Sequence, residues 1–282
     1  MQIFRSEGFD TFGKILPRAT QIASRISVTY FILTAACGIT YFALGMEGFD
    51  AIVHAMTTIA TGGFANSDAS FGAYGPGVEY AAVIFMALAA LPFVRYVQLL
   101  AGSWNAPLRD PQIRVFLATL VAVAAVMVLW QVVNSDRAWE PAIRKALFNV
   151  TSILTGTGYA SEDYMAWGSF AVTVMFFAGL IGGCAGSTSC SIKIFRYQLL
   201  FASIRAQIRG IHSPRGVFPP RYDGRPVGED VLNSVMAFFV FFVVTLGGLS
   251  VVLGMTGLDF TTSVSGAAAA LANIGPGLGD EI

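Results

Sequence analysis

Four apolar runs, 26–45, 78–100, 115–133 and 231–255, restrict the folds open to this chain more than any other feature. Each has about the twenty residues that a helix needs to cross the hydrocarbon core of a bilayer. Within that core each peptide group must find its hydrogen bond inside the protein, so such runs form helices. Composition agrees. The 282 residues are 55% hydrophobic and 12% charged, against about 25% charged in a soluble domain. The expected fold class is therefore an all-α polytopic membrane protein, with the lipid bilayer as its first partner. The formal net charge is +0 and no basic face is clustered, which gives no nucleic-acid partner. Cys37, Cys184 and Cys190 lack zinc-finger spacing and are odd in number, so they read as small apolar residues. The N-terminus MQIFRSEGFD has no apolar core and is not a signal peptide; it looks like a cytosolic linker that begins in mid-protein.

Between the spans, one short pattern occurs three times. It reads Thr61, Gly62, Gly63, Phe64; then Thr155, Gly156, Thr157, Gly158, Tyr159; then Asn273, Ile274, Gly275, Pro276, Gly277. Each copy ends a short apolar run with the length of a half-helix: 49–60, 142–154 and 260–272. The unit is span, half-helix, loop, with a further span after the first two copies. Irregular backbone at membrane depth is tolerated only where protein buries it or water lines it. Carbonyl oxygens in such a loop can replace the hydration shell of a cation without a formal charge that would trap it. Glycine lets neighbouring carbonyls turn the same way at no Cβ cost, and Gly63, Gly158 and Gly275 align as equivalent. The half-helices should point their partly negative C-terminal ends at the pore. No Asp or Glu lies in the loops, which argues against a calcium-type site.

The apolar run 167–200 is too long for one span. Its middle holds Gly182, Gly183, Cys184, Ala185, Gly186, Ser187 and Thr188, then Ser189, Cys190 and Ser191. Small and polar residues in that number do not form a lipid-facing helix. The reading is a loop below the filter that obstructs the path when collapsed and opens it when withdrawn, with Lys193 and Arg196 immediately after it. Orientation follows from the basic residues. Segments 1–25, 95–114 and 193–230 hold 14 of the 17 Lys and Arg, so they are cytoplasmic and the filter loops open outward.

These residues carry a family. Gly48 to Ala51 leading to Gly62 through Asp68, the run Gly182 to Thr188 with Ile192, Lys193 and Arg196, and Asn273 through Gly279 resemble the TrkH/KtrB/HKT superfamily of potassium transporters, its TrkH branch most closely. The resemblance implies non-identical repeats around a pseudo-fourfold pore in the bacterial inner membrane. It implies potassium as the transported ligand, held at Thr61, Gly62, Thr157, Gly158, Asn273, Ile274 and Gly275, and no covalent cofactor. It further implies a homodimer and a cytosolic nucleotide-binding regulatory partner of the TrkA type. Measured against that pattern, the chain lacks a first repeat and the last span of the fourth, as a truncated or partial sequence would. Its expected organisation is a linker at 1–25, a second pore repeat at 26–100, a linker at 101–114 and a third repeat at 115–200 with its gating loop at 182–191. A cytosolic connector at 201–230 and an incomplete fourth repeat at 231–282 follow.

Other classes fare worse. Gly-Thr-Gly lacks the Gly-Lys-Ser/Thr and the strand of a phosphate loop. A membrane-embedded enzyme would need ionisable groups gathered within spans. Asp50 and His54 stand one turn apart but read as half-helix capping and packing. A non-conducting remnant of a transporter is the remaining alternative.

Overall fold

The computed structural model describes residues 19–135, 137–275, 277 and 278. The expectations placed on residues 1–18, on Pro276 and on Gly279 lie outside the described residues. Among the described residues, three helices have the length and apolarity to cross a membrane: α1 (Ala19–Ala43), α6 (Pro111–Ser135) and α10 (Glu229–Met255). Three shorter helices follow them: α2 (Gly48–Ile59) after α1, α7 (Trp139–Thr155) after α6, and α11 (Phe260–Ala272) after α10. Each packs against the long helix before it. In the first pair, Gly38 of α1 lets the helices approach closely; a Cβ there would touch the Ala55 methyl at 3.4 Å. The start of α11 is secured by Asp259, whose carboxylate accepts from the Thr262 and Thr261 amides at 3.1 and 3.0 Å. The hydrogen bonds from Thr262, above all, hold that carboxyl below its usual range.

The run 78–100 is two helices, α3 (Pro76–Ala89) and α4 (Phe93–Leu100), bent by 89°. Pro92 has no N–H to continue α3 and drives Leu91 out of the helical region. Counted as one broken span, the pair makes a fourth helical segment, among the described residues, apolar and long enough to cross. A short α5 (Ala106–Arg109) then leads into α6, which begins four residues before the expected span. After α7 come a 3₁₀ turn (Tyr164–Trp167) and α8 (Ser169–Ile181), then an irregular stretch from 182 to 193. The chain resumes as α9 (Ile194–His212), so the polar connector expected from 201 is helical for its first twelve residues. A hairpin of β1 (Arg221–Tyr222) and β2 (Arg225–Pro226) turns on Asp223 and Gly224 at φ of +49° and +76°. Tyr222 packs edge-on against Phe195, and burial pushes its phenol well above its usual range.

The core lies between these units. Cys37 and Tyr41 of α1, Ala55 and Ile59 of α2, and Met86 of α3 pack with Phe71, Phe148 and Tyr159 in one cluster. A second gathers Met127 of α6, Val150 and Ile153 of α7, Met175 of α8, and Ile274 with Leu278. A buried ion triad joins α3 to α7. Glu79, 2% exposed, accepts from Arg144 at 2.8 Å and Lys145 at 2.9 Å. Removing one member of such a group strands the others in a low dielectric, at a cost of about 3 kcal/mol. Glu79→Ala is expected to lower the melting temperature of the detergent-solubilised protein clearly, and a wild-type melt would contradict this account.

Candidate ion-permeation site

The three half-helices end in the same backbone. A left-handed residue follows each: Thr61 at φ +50°, Gly156 at +75°, Asn273 at +52°. The next amide turns back to the carbonyl five residues earlier: Gly62 to Thr57 at 2.8 Å, Thr157 to Ser152 at 2.9 Å, Ile274 to Ala269 at 3.1 Å. This is the Schellman arrangement, which closes a helix by satisfying a free carbonyl. One residue further on, Gly63, Gly158 and Gly275 are left-handed again, at +70°, +88° and +96°. The alignment of those glycines thus coincides with a shared conformation. In this register Thr61 corresponds to Gly156 and Gly62 to Thr157, so the expected ligand pairs Thr61–Gly62 and Thr157–Gly158 stand one step apart. Thr155 is the last residue of α7.

The loops touch. A Cβ on Gly63 would lie 2.0 Å from the Thr157 carbonyl oxygen, and one on Gly275 would lie 3.8 Å from the Gly158 Cα. The C-terminal ends of α2, α7 and α11 therefore converge, each with its partial negative charge. Hydroxyls fasten two of the loops to their own half-helices. Thr57 Oγ1 donates to the Phe64 carbonyl at 3.0 Å, and Ser152 Oγ to the Tyr159 carbonyl at 2.7 Å. Both donors lie six residues before the aligned glycine, a spacing visible in the sequence but not used in reading it. The third copy has Ala269 at that position. Instead Ser265 grips Leu278, donating to its carbonyl at 2.6 Å and accepting from its amide at 2.9 Å.

The stretch 182–193 crosses the ends of all three half-helices. Thr61 Oγ1 donates to the Thr188 carbonyl at 2.8 Å. Ser189 Oγ donates to the Thr155 carbonyl at 2.6 Å. The Ser191 amide donates to the Ala272 carbonyl at 3.0 Å, and Asn273 Nδ2 lies 3.2 Å from Cys190 Sγ. Cys190 also fills the space beside Gly156. The other edge of the stretch completes the bend at Pro92. The Cys184 amide donates to the Ala90 carbonyl at 3.0 Å and Thr188 Oγ1 to the Ala89 carbonyl at 3.1 Å. In return the Phe93 amide donates to the Gly186 carbonyl at 2.9 Å. Groups freed by the broken helix are thus satisfied by the loop. The loop ends lie together, with the Ile194 amide on the Gly183 carbonyl at 3.0 Å. Gly182, Gly186, Ser191 and Lys193 are left-handed.

Among the residues singled out in sequence, Arg196 stays bonded to the irregular stretch, its Nη1 donating to the Ile192 carbonyl at 2.9 Å, while its guanidinium lies 4.0 Å over the Phe238 ring of α10. Asp50 and His54 do not pair through their side chains. His54 Nδ1 meets the Asp50 backbone carbonyl at 2.8 Å. The Asp50 carboxylate accepts from Asn66 at 2.8 Å and Tyr74 at 2.9 Å. It therefore ties the chain beyond the first loop to α2, and the N-cap position belongs to Glu47.

Known proteins share this arrangement. The TrkH family profile, described as a cation transport protein, matches residues 9–282. A Trk system potassium uptake protein, TrkI, of Halomonas elongata is 44% identical across 100% of this chain and 58% of its own length. TrkH of Escherichia coli is 31% identical, with 99% of this chain and 59% of its own length covered. The crystal structure of the potassium transporter TrkH from Vibrio parahaemolyticus superposes with a TM-score of 0.91 at 30% identity, over 99% of this chain and 60% of that one. The chain thus spans somewhat more than half the length of the relatives it matches, each of them named as a transporter rather than an enzyme. By its helices, its repeated loops and these matches, this multi-pass membrane chain belongs to the TrkH family of cation-transport proteins.

Proposed function

We propose that this chain supplies most of the permeation path of a potassium-uptake transporter in the bacterial inner membrane. One observation carries the reading: three loops of equal backbone converge, and a single irregular stretch is hydrogen-bonded across the ends of their half-helices. Carbonyls of Thr61 to Gly63, Gly156 to Gly158 and Asn273 to Gly275 would replace the hydration shell of potassium. Their uncharged oxygens hold the ion without trapping it. The stretch 182–193 would be the gate. While bonded to Thr61, Thr155 and Ala272 it keeps the path shut below the filter; withdrawn, it frees the inner ends of the half-helices, whose polarity favours a cation. The basic segments on either side of the spans support a cytosolic side for this gate. A homodimer and a cytosolic nucleotide-binding regulator of the TrkA type complete the proposal, drawn from the family.

The test is growth of a bacterium lacking its own potassium-uptake systems, at limiting external potassium, with this protein expressed from its own gene. Growth with measurable potassium accumulation is expected. Failure to grow with the protein present in the membrane would leave the non-conducting remnant in its place.

A further inference from the structure

The second loop ends in a side chain that reaches into the first unit. Tyr159 is 1% exposed, and its ring packs on Phe71 with centroids 4.4 Å apart. Its hydroxyl meets Thr57 Oγ1 of α2, and lies 3.1 Å from the His54 carbonyl and 3.2 Å from Thr58 Oγ1. Thr57 Oγ1 in turn reaches the Phe64 carbonyl at 3.0 Å. Thr58 Oγ1 continues the chain to the Tyr41 hydroxyl of α1 at 3.0 Å. The backbone of Tyr159 is held independently by Ser152 of its own half-helix at 2.7 Å. One residue is therefore pinned to α7 by its carbonyl and to α2 by its phenol. It bridges the two loops where Gly63 lies against Thr157. At the aligned position the first copy has Phe64, 74% exposed, and the third has Pro276; neither carries a hydroxyl.

We infer that Tyr159 is a positioning residue: its hydroxyl sets the spacing of the first and second loops, and through that spacing the preference for potassium over sodium. The inference rests on the function proposed above. Oxygens held at a set spacing coordinate the larger ion and leave the smaller one short of ligands, whereas a ring free to contract serves both. A hydroxyl network between the second loop and α2, buried at Tyr159, Thr58 and Tyr41, resists that contraction, because breaking its buried bonds leaves polar groups without water.

The test is Tyr159→Phe, which keeps the ring against Phe71 and removes only the hydroxyl. Potassium and sodium uptake are measured on the same preparation, expressed from the protein's own gene, beside the amount in the membrane and the melting temperature. The potassium-over-sodium ratio is expected to fall about tenfold, the factor carried by one buried hydrogen bond that serves a single ion. Thr57→Val breaks the same link from the other end and is expected to give a similar fall. The double variant falls short of the product of the two single effects, because both remove the one Tyr159–Thr57 bond. Should Tyr159→Phe fold poorly, Thr57→Val carries the test alone. A loss of protein with the ratio intact in both variants means a merely structural role and overturns the inference, as does wild-type behaviour in both. If the wild-type protein itself takes up no potassium, the proposed function fails and this inference falls with it, a result distinct from a selective wild type with unaltered variants.

Discussion

Gly63→Ala is expected to abolish potassium uptake and to destabilise the folded protein. Two independent costs meet at this residue. Its φ of +70° places it in the left-handed region, which costs an alanine roughly 1 kcal/mol. The larger cost is space. The added methyl would stand 2.0 Å from the Thr157 carbonyl oxygen, 2.9 Å from its carbon and 3.1 Å from the Gly158 carbon. All three atoms are backbone, held in turn by the Schellman closure of α7 and by Ser152. Nothing there can rotate away as a long side chain would. The loops must part, and the oxygens proposed to bind the ion part with them. The adjacent Gly62 is the internal control. A Cβ there makes ordinary contacts, with the Phe64 ring at 3.4 Å and the Thr57 carbonyl at 3.8 Å, so Gly62→Ala should remain folded. Uptake and thermal unfolding of the two variants side by side decide the matter, and similar behaviour at both positions would refute this account of the contact.

Removing residues 184–190 is expected to raise potassium flux. The deletion is geometrically mild, because the ends of the stretch already meet. A Cβ on Gly182 would fall 2.5 Å from the Cys190 carbonyl and 2.9 Å from the Ser191 Cβ. It eliminates the Thr61–Thr188 and Ser189–Thr155 bonds and everything that holds the stretch to Ala89, Ala90 and Phe93. A milder version is Ser189→Ala, which removes the bonds to the Thr155 carbonyl and the Gly183 amide. At about 1 kcal/mol for each bond, it should shift the balance between shut and open by a factor of roughly five to thirty. Flux that stays level or falls in the deletion, with normal amounts of protein in the membrane, would sink the gate.

Much of this protein is legible in its residues because the controlling forces are local. Apolar length alone placed the long helices, and α11 runs over the residues expected of it. The repeated half-helix endings were visible because a Schellman closure is made by residues within five positions of each other, and glycine marks the left-handed sites. The refusal of 182–193 to form a helix follows likewise from its own small and polar side chains. Other features depended on partners that no local pattern names. Pro92 announces a break in a helix, but the 89° turn depends on Gly186, Cys184 and Thr188, about a hundred residues on, which satisfy the opened backbone. Nothing in the residues around Glu79 names its partners, Arg144 and Lys145, which reach it from α7. Arg196 keeps a local bond to the Ile192 carbonyl, but its ring partner, Phe238, comes from α10. Thr57 and Tyr159 are 102 positions apart, and only the contact of the first and second loops brings the two hydroxyls together. Short-range preferences of the backbone determined what each segment is; burial and hydrogen bonding between distant segments decided which of them face the path and what holds them there.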